Sequence, residues 1–130
     1  MKIKNKMIID DNFVEAFFSL LSIPMSAKQC LEVSSSVDEI AGQRQIVQRT
    51  RKAIIERFCK KDEAGKAIED EKGQVSFENS ELKETCIFEL KEVFEEEIDI
   101  SLKTKVKIDK AATMTPMKVK LLKDIIEIDI

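Results

Sequence analysis

Residues 26–60 read SAKQCLEVSSSVDEIAGQRQIVQRTRKAIIERFCK, and no proline interrupts them. Val33, Val37, Ile40, Val47, Ile54 and Phe58 recur in steps of four and three, with Arg44 and Arg51 filling two places in the same stripe. This is the period of one amphipathic helix. Ser26 is a good cap for it, with Gln29 three residues on. The spacing predicts a helix of about 34 residues, roughly 50 Å long at 1.5 Å per residue. Such a length exceeds the core of a small domain. Part of the helix is therefore expected to project, or to meet a second helix or another subunit. The Ser34-Ser35-Ser36 run and Gly42 are its weakest points.

Upstream, Lys2, Lys4 and Lys6 alternate with Ile3, Met7 and Ile9, with Asn5 between them. That is the period of a half-buried strand. Asp10-Asp11-Asn12 then offers capping side chains. Phe13, Val14, Phe17, Phe18, Leu20 and Leu21 make a short apolar helix ending before Pro24. Downstream, Lys61-Asp62-Glu63-Ala64-Gly65-Lys66 and Glu71-Lys72-Gly73-Gln74 read as turns around a short polar hairpin at about 61–78. Asn79 or Ser80 caps an acidic helix to about Glu97, with Leu82, Cys86, Leu90, Val93 and Phe94 on its apolar face. Ile98, Ile100, Leu102, Val106 and Ile108 alternate with polar residues and predict one long, bent strand. Thr115-Pro116 starts a last helix to about Asp124. Ile126, Ile128 and Ile130 predict a closing strand. The order points to one α+β domain over 1–130: a small sheet of alternating strands, one long helix, two or three shorter helices and a short β-hairpin. The hairpin and one end of the helix at 26–60 are the parts expected to extend from it.

The chain has 130 residues, 36% of them charged, and contains no His, Trp or Tyr. Chemistry that needs an imidazole is thereby excluded: the Ser-His-Asp triad, the Cys-His pair, the His-ligated metal. Cys30, Cys59 and Cys86 are odd in number and widely spaced, which predicts free, buried thiols rather than a disulfide framework or a zinc motif. The acids at Asp62, Glu63, Glu69, Asp70 and Glu71 lack the ligand order of a calcium loop. There is no glycine-rich phosphate loop. No run of 18 apolar residues predicts a membrane span. No motif points to one reaction, so the expectation is a protein that is not an enzyme and uses neither cofactor nor metal.

Charge is segregated. Residues 43–61 carry seven Lys or Arg and one acid, residues 62–99 fourteen acids and four Lys, and residues 100–123 seven Lys and one acid. One reading is mutual neutralisation: the basic helix pairs with the acidic one, and Arg44 and Arg51 meet carboxylates among Glu84, Glu89, Glu92, Glu95 and Glu96. Exposed pairs of this kind select geometry more than they stabilise. A second reading makes Arg44, Arg49, Arg51, Lys52, Arg57, Lys60 and Lys61 a phosphate-binding ridge. The lysine face Lys103, Lys105, Lys107 would add to it, beside Lys2, Lys4 and Lys6 if the two strands are neighbours. Sheet-type RNA binders stack bases on aromatic residues, however, and these strands have none. A third reading has the acidic surface from Glu89 to Asp99, with Glu92, Glu95 and Glu96, docking a basic partner, including the case of a mimic of nucleic-acid phosphates.

Taken in order, the basic opening strand, Ile23-Pro24-Met25-Ser26 before a long helix, the Lys61–Lys66 and Gly73-Gln74-Val75-Ser76-Phe77 turns, Glu96-Glu97-Ile98-Asp99-Ile100, and Met114-Thr115-Pro116 before a final helix form a pattern. This pattern resembles a family of small bacteriophage and prophage proteins of unknown function, common in phages of Gram-positive bacteria. The final helix departs from the family in being richer in lysine. The resemblance implies no activity and no site residues. It implies a viral setting, in the host cytoplasm or the virion. There the chain would bind a protein, either a phage structural component or a host enzyme of defence or nucleic-acid metabolism. A homo-oligomer through the long helix and, less favoured, a nucleic-acid partner are the other expectations; a membrane is not one.

Overall fold

The computed structural model describes residues 1–109 and 114–129. The fold is α+β, in the order β1 (Lys2–Lys4), α1 (Asn5–Ile8), α2 (Asp11–Phe18), a 3₁₀ turn (Ser19–Ser22), α3 (Ala27–Phe58), α4 (Ser80–Glu95), β2 (Glu97–Asp99), β3 (Val106–Asp109), α5 (Pro116–Leu121) and β4 (Ile126–Asp129). Two compact units form. One is built from Met1–Arg44 with the chain from Glu97 onward, the other from Gln45–Glu96. The long helix α3 contributes to both.

Capping chemistry sets the helix starts. Asp10 Oδ1 accepts hydrogen bonds from the N–H groups of Asn12 and Phe13, at 3.0 and 3.4 Å, and starts α2. Ser26 Oγ accepts from Gln29 N–H at 3.2 Å and starts α3. Asn79 Oδ1 accepts from Leu82 N–H at 2.9 Å and starts α4. Thr115 caps α5 in the same way, with Pro116 in its first turn. Each cap satisfies a donor that the first helical turn leaves open. Continuing through the three serines and Gly42, α3 runs 32 residues.

The core of the first unit joins Ile3, Ile8, Phe13, Phe17, Leu20, Val33, Ile40, Ile100, Leu102, Val106, Ile108, Leu122, Ile125 and Ile126. Phe13 and Phe17, one helical turn apart, set their rings 6.1 Å apart in a tilted pair. Strands β1 and β2 pair antiparallel, Ile3 opposite Ile98. Strands β3 and β4 pair parallel, Val106 opposite Ile126.

Two runs of alternation are longer in the sequence than the strands they make. The first stops at Lys4, where α1 turns the chain and buries Asn5 and Ile8. The second, read as one strand from Ile98 to Ile108, is cut between Asp99 and Val106. There Ser101 N–H donates to Glu39 Oε1 at 3.0 Å and Leu102 N–H donates to Ser36 Oγ at 2.8 Å. Side chains of α3 thus take two donors that a sheet ladder would have used. Ile100 and Leu102 stay buried all the same. The closing strand forms over Ile126–Asp129, while Ile130 lies outside the described residues.

In the second unit Val47, Ile54, Cys59 and Cys86 are buried. Where the pattern predicts a hairpin, the chain makes three single bridges: Cys59 with Phe77, Lys61 with Ala67, and Glu69 with Val75. They reflect an eight-residue repeat, Lys60–Ala67 and Ile68–Val75, with Asp and Gly at matching places. Asp62 Oδ1 accepts from the N–H groups of Ala64 and Lys66, and Asp70 Oδ1 from those of Lys72 and Gln74, all at 2.9 Å. Gly65 and Gly73 follow at φ +79° and +76°, a region that side chains with a Cβ avoid. The repeat closes on itself: Lys60 N–H donates to the Ser76 carbonyl, Ser76 N–H to that of Ile68, and Ile68 N–H to that of Lys60, at 2.7, 3.0 and 2.9 Å.

Ser36 is fully buried and also donates to the Glu32 carbonyl at 2.7 Å. Replacing it, Ser36→Ala, strands the Leu102 N–H without a partner and is expected to cost about 1–3 kcal/mol. The exposed neighbour change Ser35→Ala is expected to stay within about 0.5 kcal/mol. Urea unfolding measures both, and equal midpoints would remove Ser36 as the residue that breaks the strand.

Candidate interaction surface

The basic residues of α3 divide by role. Arg44 is only 21% exposed. It donates to the Ile8 carbonyl at 3.0 Å and to Asp11 Oδ1 at 2.6 Å. It ties α3 to the end of α1 and the start of α2, so the expectation that it would meet an α4 carboxylate is replaced by a structural role. Arg57 meets Glu89 of α4 at 2.6 Å, and its guanidinium lies 5.2 Å from the ring centre of Phe58. Lys52 is 4.0 Å from Glu56 on its own helix. Among the described residues no ion pair involves Arg49 or Arg51.

These residues line two grooves of the second unit. Ile46, Arg49, Thr50, Ala53, Ile54 and Arg57 form one along a single face of α3. Arg51, Lys52 and Ile55 form the wall of another, against Ala67, Glu69 and Val75 of the repeat. Ile46, in the first groove, is 49% exposed.

Helix α4 has two faces. Leu82, Cys86, Leu90, Val93 and Phe94 point inward or are half-buried, as their spacing predicts. Phe88 points out and is 63% exposed, with Ile87 beside it at 52%. One and two turns away on Phe88's side, at offsets of four and seven, stand Glu81, Glu84, Glu92 and Glu95, all exposed. Lys91 is the one cation among these neighbours. Glu96 is the C-cap residue of α4 and is also exposed. Ile87 and Phe88 escape a reading that looks for one apolar stripe. The signal that finds them is two large apolar residues lying off the stripe at Leu82, Cys86 and Leu90 in an otherwise charged helix.

The lysines expected on a sheet face are placed differently. Strand β1 pairs with β2 and strand β3 with β4, so Lys2 and Lys4 do not lie beside Lys107 in a sheet. Lys103 and Lys105 fall in the loop between β2 and β3, because the Ser36 and Glu39 contacts interrupt the strand. Lys103 and Lys107 instead line a cleft with Lys28, Met25, Gln29 and Thr104, and among the described residues Glu32 is the acid on its wall. Gln29 Nε2 donates to the Lys105 carbonyl at 3.1 Å and holds the loop there.

All three cysteines are free, and Cys59 and Cys86 are buried. Cys30 is exposed, one turn before the first buried residue of the α3 stripe, contrary to the expectation of burial. Burial pushes the Cys86 thiol up, and the neighbouring Cys59 and Glu89 add to this against the opposing charge of Arg57. A raised thiol stays protonated near neutral pH and is a poor nucleophile. Among the described residues no group of three metal-ligating side chains forms, and no helix is long and apolar enough to cross a membrane.

No protein-family model, no curated protein and no solved structure matches the chain.

The contrast between arginines is measurable. Arg44→Ala removes two hydrogen bonds from a half-buried guanidinium and is expected to lower stability by about 1–2 kcal/mol. Arg49→Ala is expected to change it by less than about 0.5 kcal/mol. Thermal or urea unfolding of the two variants decides, and a neutral Arg44→Ala would return that residue to the surface set.

Proposed function

We propose that this chain is a non-enzymatic, phage-encoded protein that works by docking another protein on the outer face of α4. The observation that carries the reading is Phe88, a large exposed aromatic set among four carboxylates. An exposed ring of this kind costs little while the chain is alone, and burying it against a partner contributes about 1.5–3 kcal/mol. Aromatic anchors surrounded by polar groups are where binding energy concentrates in protein interfaces. The carboxylates add long-range attraction to a basic partner and repel an acidic one. The partner is therefore a protein surface with an apolar recess rimmed by Lys or Arg. The viral setting rests on the resemblance of the whole chain in order and texture. Within it, the partner is a virion component or a host nucleic-acid or defence enzyme.

Purified chain on a solid support, incubated with lysate of infected cells, tests the reading. Wild type is expected to retain a basic protein that high salt releases, and the variant Glu84→Lys/Phe88→Ala/Glu92→Lys is expected to lose it while keeping the same circular dichroism. Equal capture by the two would end the proposal. Mass spectrometry of the retained protein separates an assembly role from inhibition of a host enzyme.

A second reading, nucleic-acid binding, is favoured by one observation. Lys28, Lys103 and Lys107 line one cleft, and none of them makes an ion pair among the described residues. A gel-shift titration over salt checks it. Binding that weakens steeply with salt, with the slope falling by about one unit per lysine changed to Gln, is the expected signature. No shift at low salt removes this reading.

A further inference from the structure

We infer that the first partner of the α4 face is a second copy of this chain, and that its seat is the groove formed by Ile46, Arg49, Ala53 and Arg57 on α3. The inference rests on the docking reading above and names the partner of the same face.

The two surfaces are complementary in chemistry and in order. On α4 an apolar pair, Ile87 and Phe88, lies within a row of glutamates. On α3 Arg49 lies between the apolar Ile46 and Ala53, at the three- and four-residue steps that place side chains on one helix face, and Arg57, already held by Glu89 of its own chain, closes the row. Both repeat with the helical period, so an acidic helix laid along the basic one brings ring to groove and carboxylate to guanidinium together. The chain already contains one such contact: Arg57 of α3 holds Glu89 of α4 at 2.6 Å.

The same chain cannot satisfy both surfaces by itself. Cys86 of α4 is buried, and Phe88, two residues on, is turned about 200° from it around the helix. The ring therefore points away from the packed side of its own unit. Another molecule has to supply the groove. Each copy carries both halves, so a twofold arrangement makes the contact twice and closes as a dimer; any other rotation propagates it into a longer assembly.

Charge reversal tests the inference, using light scattering after size exclusion. Wild type is expected to show a mass at least twice that of the 14.9 kDa chain. Glu84→Arg/Glu92→Arg reverses the face, and Arg49→Glu/Ala53→Glu reverses the seat. Each variant alone is expected to weaken association by at least about 100-fold, because like charges then oppose one another. Mixing the two is expected to restore it, since a mixed pair has one native contact and one contact with both signs reversed. That restoration also shows that neither variant has simply misfolded. A wild type that stays monomeric, association that persists in both variants, or a mixture that stays apart would each overturn the inference. A monomer that still captures a foreign protein through Phe88 leaves the docking reading standing; a monomer that captures nothing ends both.

Discussion

One apolar stripe has to be covered along 32 residues of helix, about 48 Å at 1.5 Å per residue. No single small core covers such a length, and the rest of the structure follows from that. Val33 and Ile40 are buried by the elements of the first unit, and Val47 and Ile54 by those of the second. Chain that precedes α3 and chain that follows α4 must return to the same half of the helix. This is why residues far apart in sequence, Ile3 and Ile98, become strand partners. The stripe is interrupted where Arg44 stands, and there the guanidinium is used to hold the Ile8 carbonyl and Asp11 rather than to fill a core.

Polar groups on α3 decide what the neighbouring backbone can do. A buried backbone donor needs a partner, and any partner with good geometry serves. Ser36 and Glu39 provide two, so the segment after β2 leaves the sheet without leaving the core. The same accounting explains the second unit, where Val47, Ile54, Cys59 and Cys86 are the buried apolar residues among those described. There the eight-residue repeat satisfies its own backbone through a closed ring of three hydrogen bonds and two aspartate-anchored turns. A segment that is mostly exposed can hold a defined shape in this way because its order comes from local hydrogen bonds and left-handed glycines rather than from burial.

The longer helices and the turns were legible in the residues because their signals are local, whereas α1, Asn5–Ile8, falls within an alternation that reads as strand. Ser26, Asn79 and Thr115 cap where their side chains predict, and Gly65 and Gly73 take the turns. Strand length was not legible. Alternation from Ile98 to Ile108 states which side chains are buried, and most of them are, yet it cannot state which backbone donors a distant helix will claim. The expected lysine face failed for the same reason, since a face of alternate residues exists only where the strand does. The repeat was present in the sequence at Lys60–Ala67 and Ile68–Val75, but it shows through two aspartates and two glycines instead of an apolar period.

Legibility of the candidate surface follows a related rule. A charged residue read alone does not reveal whether it is structural: Arg44 and Arg49 differ only in where the stripe places them, one half-buried beside a carbonyl and the other exposed in a groove. Nor does an apolar residue reveal that it is exposed until the buried face of its helix has been assigned. Once Leu82, Cys86 and Leu90 define the inner side of α4, Phe88 has to face out. The glutamates at offsets of four and seven have to flank it, because the same 3.6-residue period governs both sides. The outer face of α4 is therefore set by the packing of its inner face. Changes that rotate the inner stripe would dissolve the acidic aromatic surface without touching any residue in it.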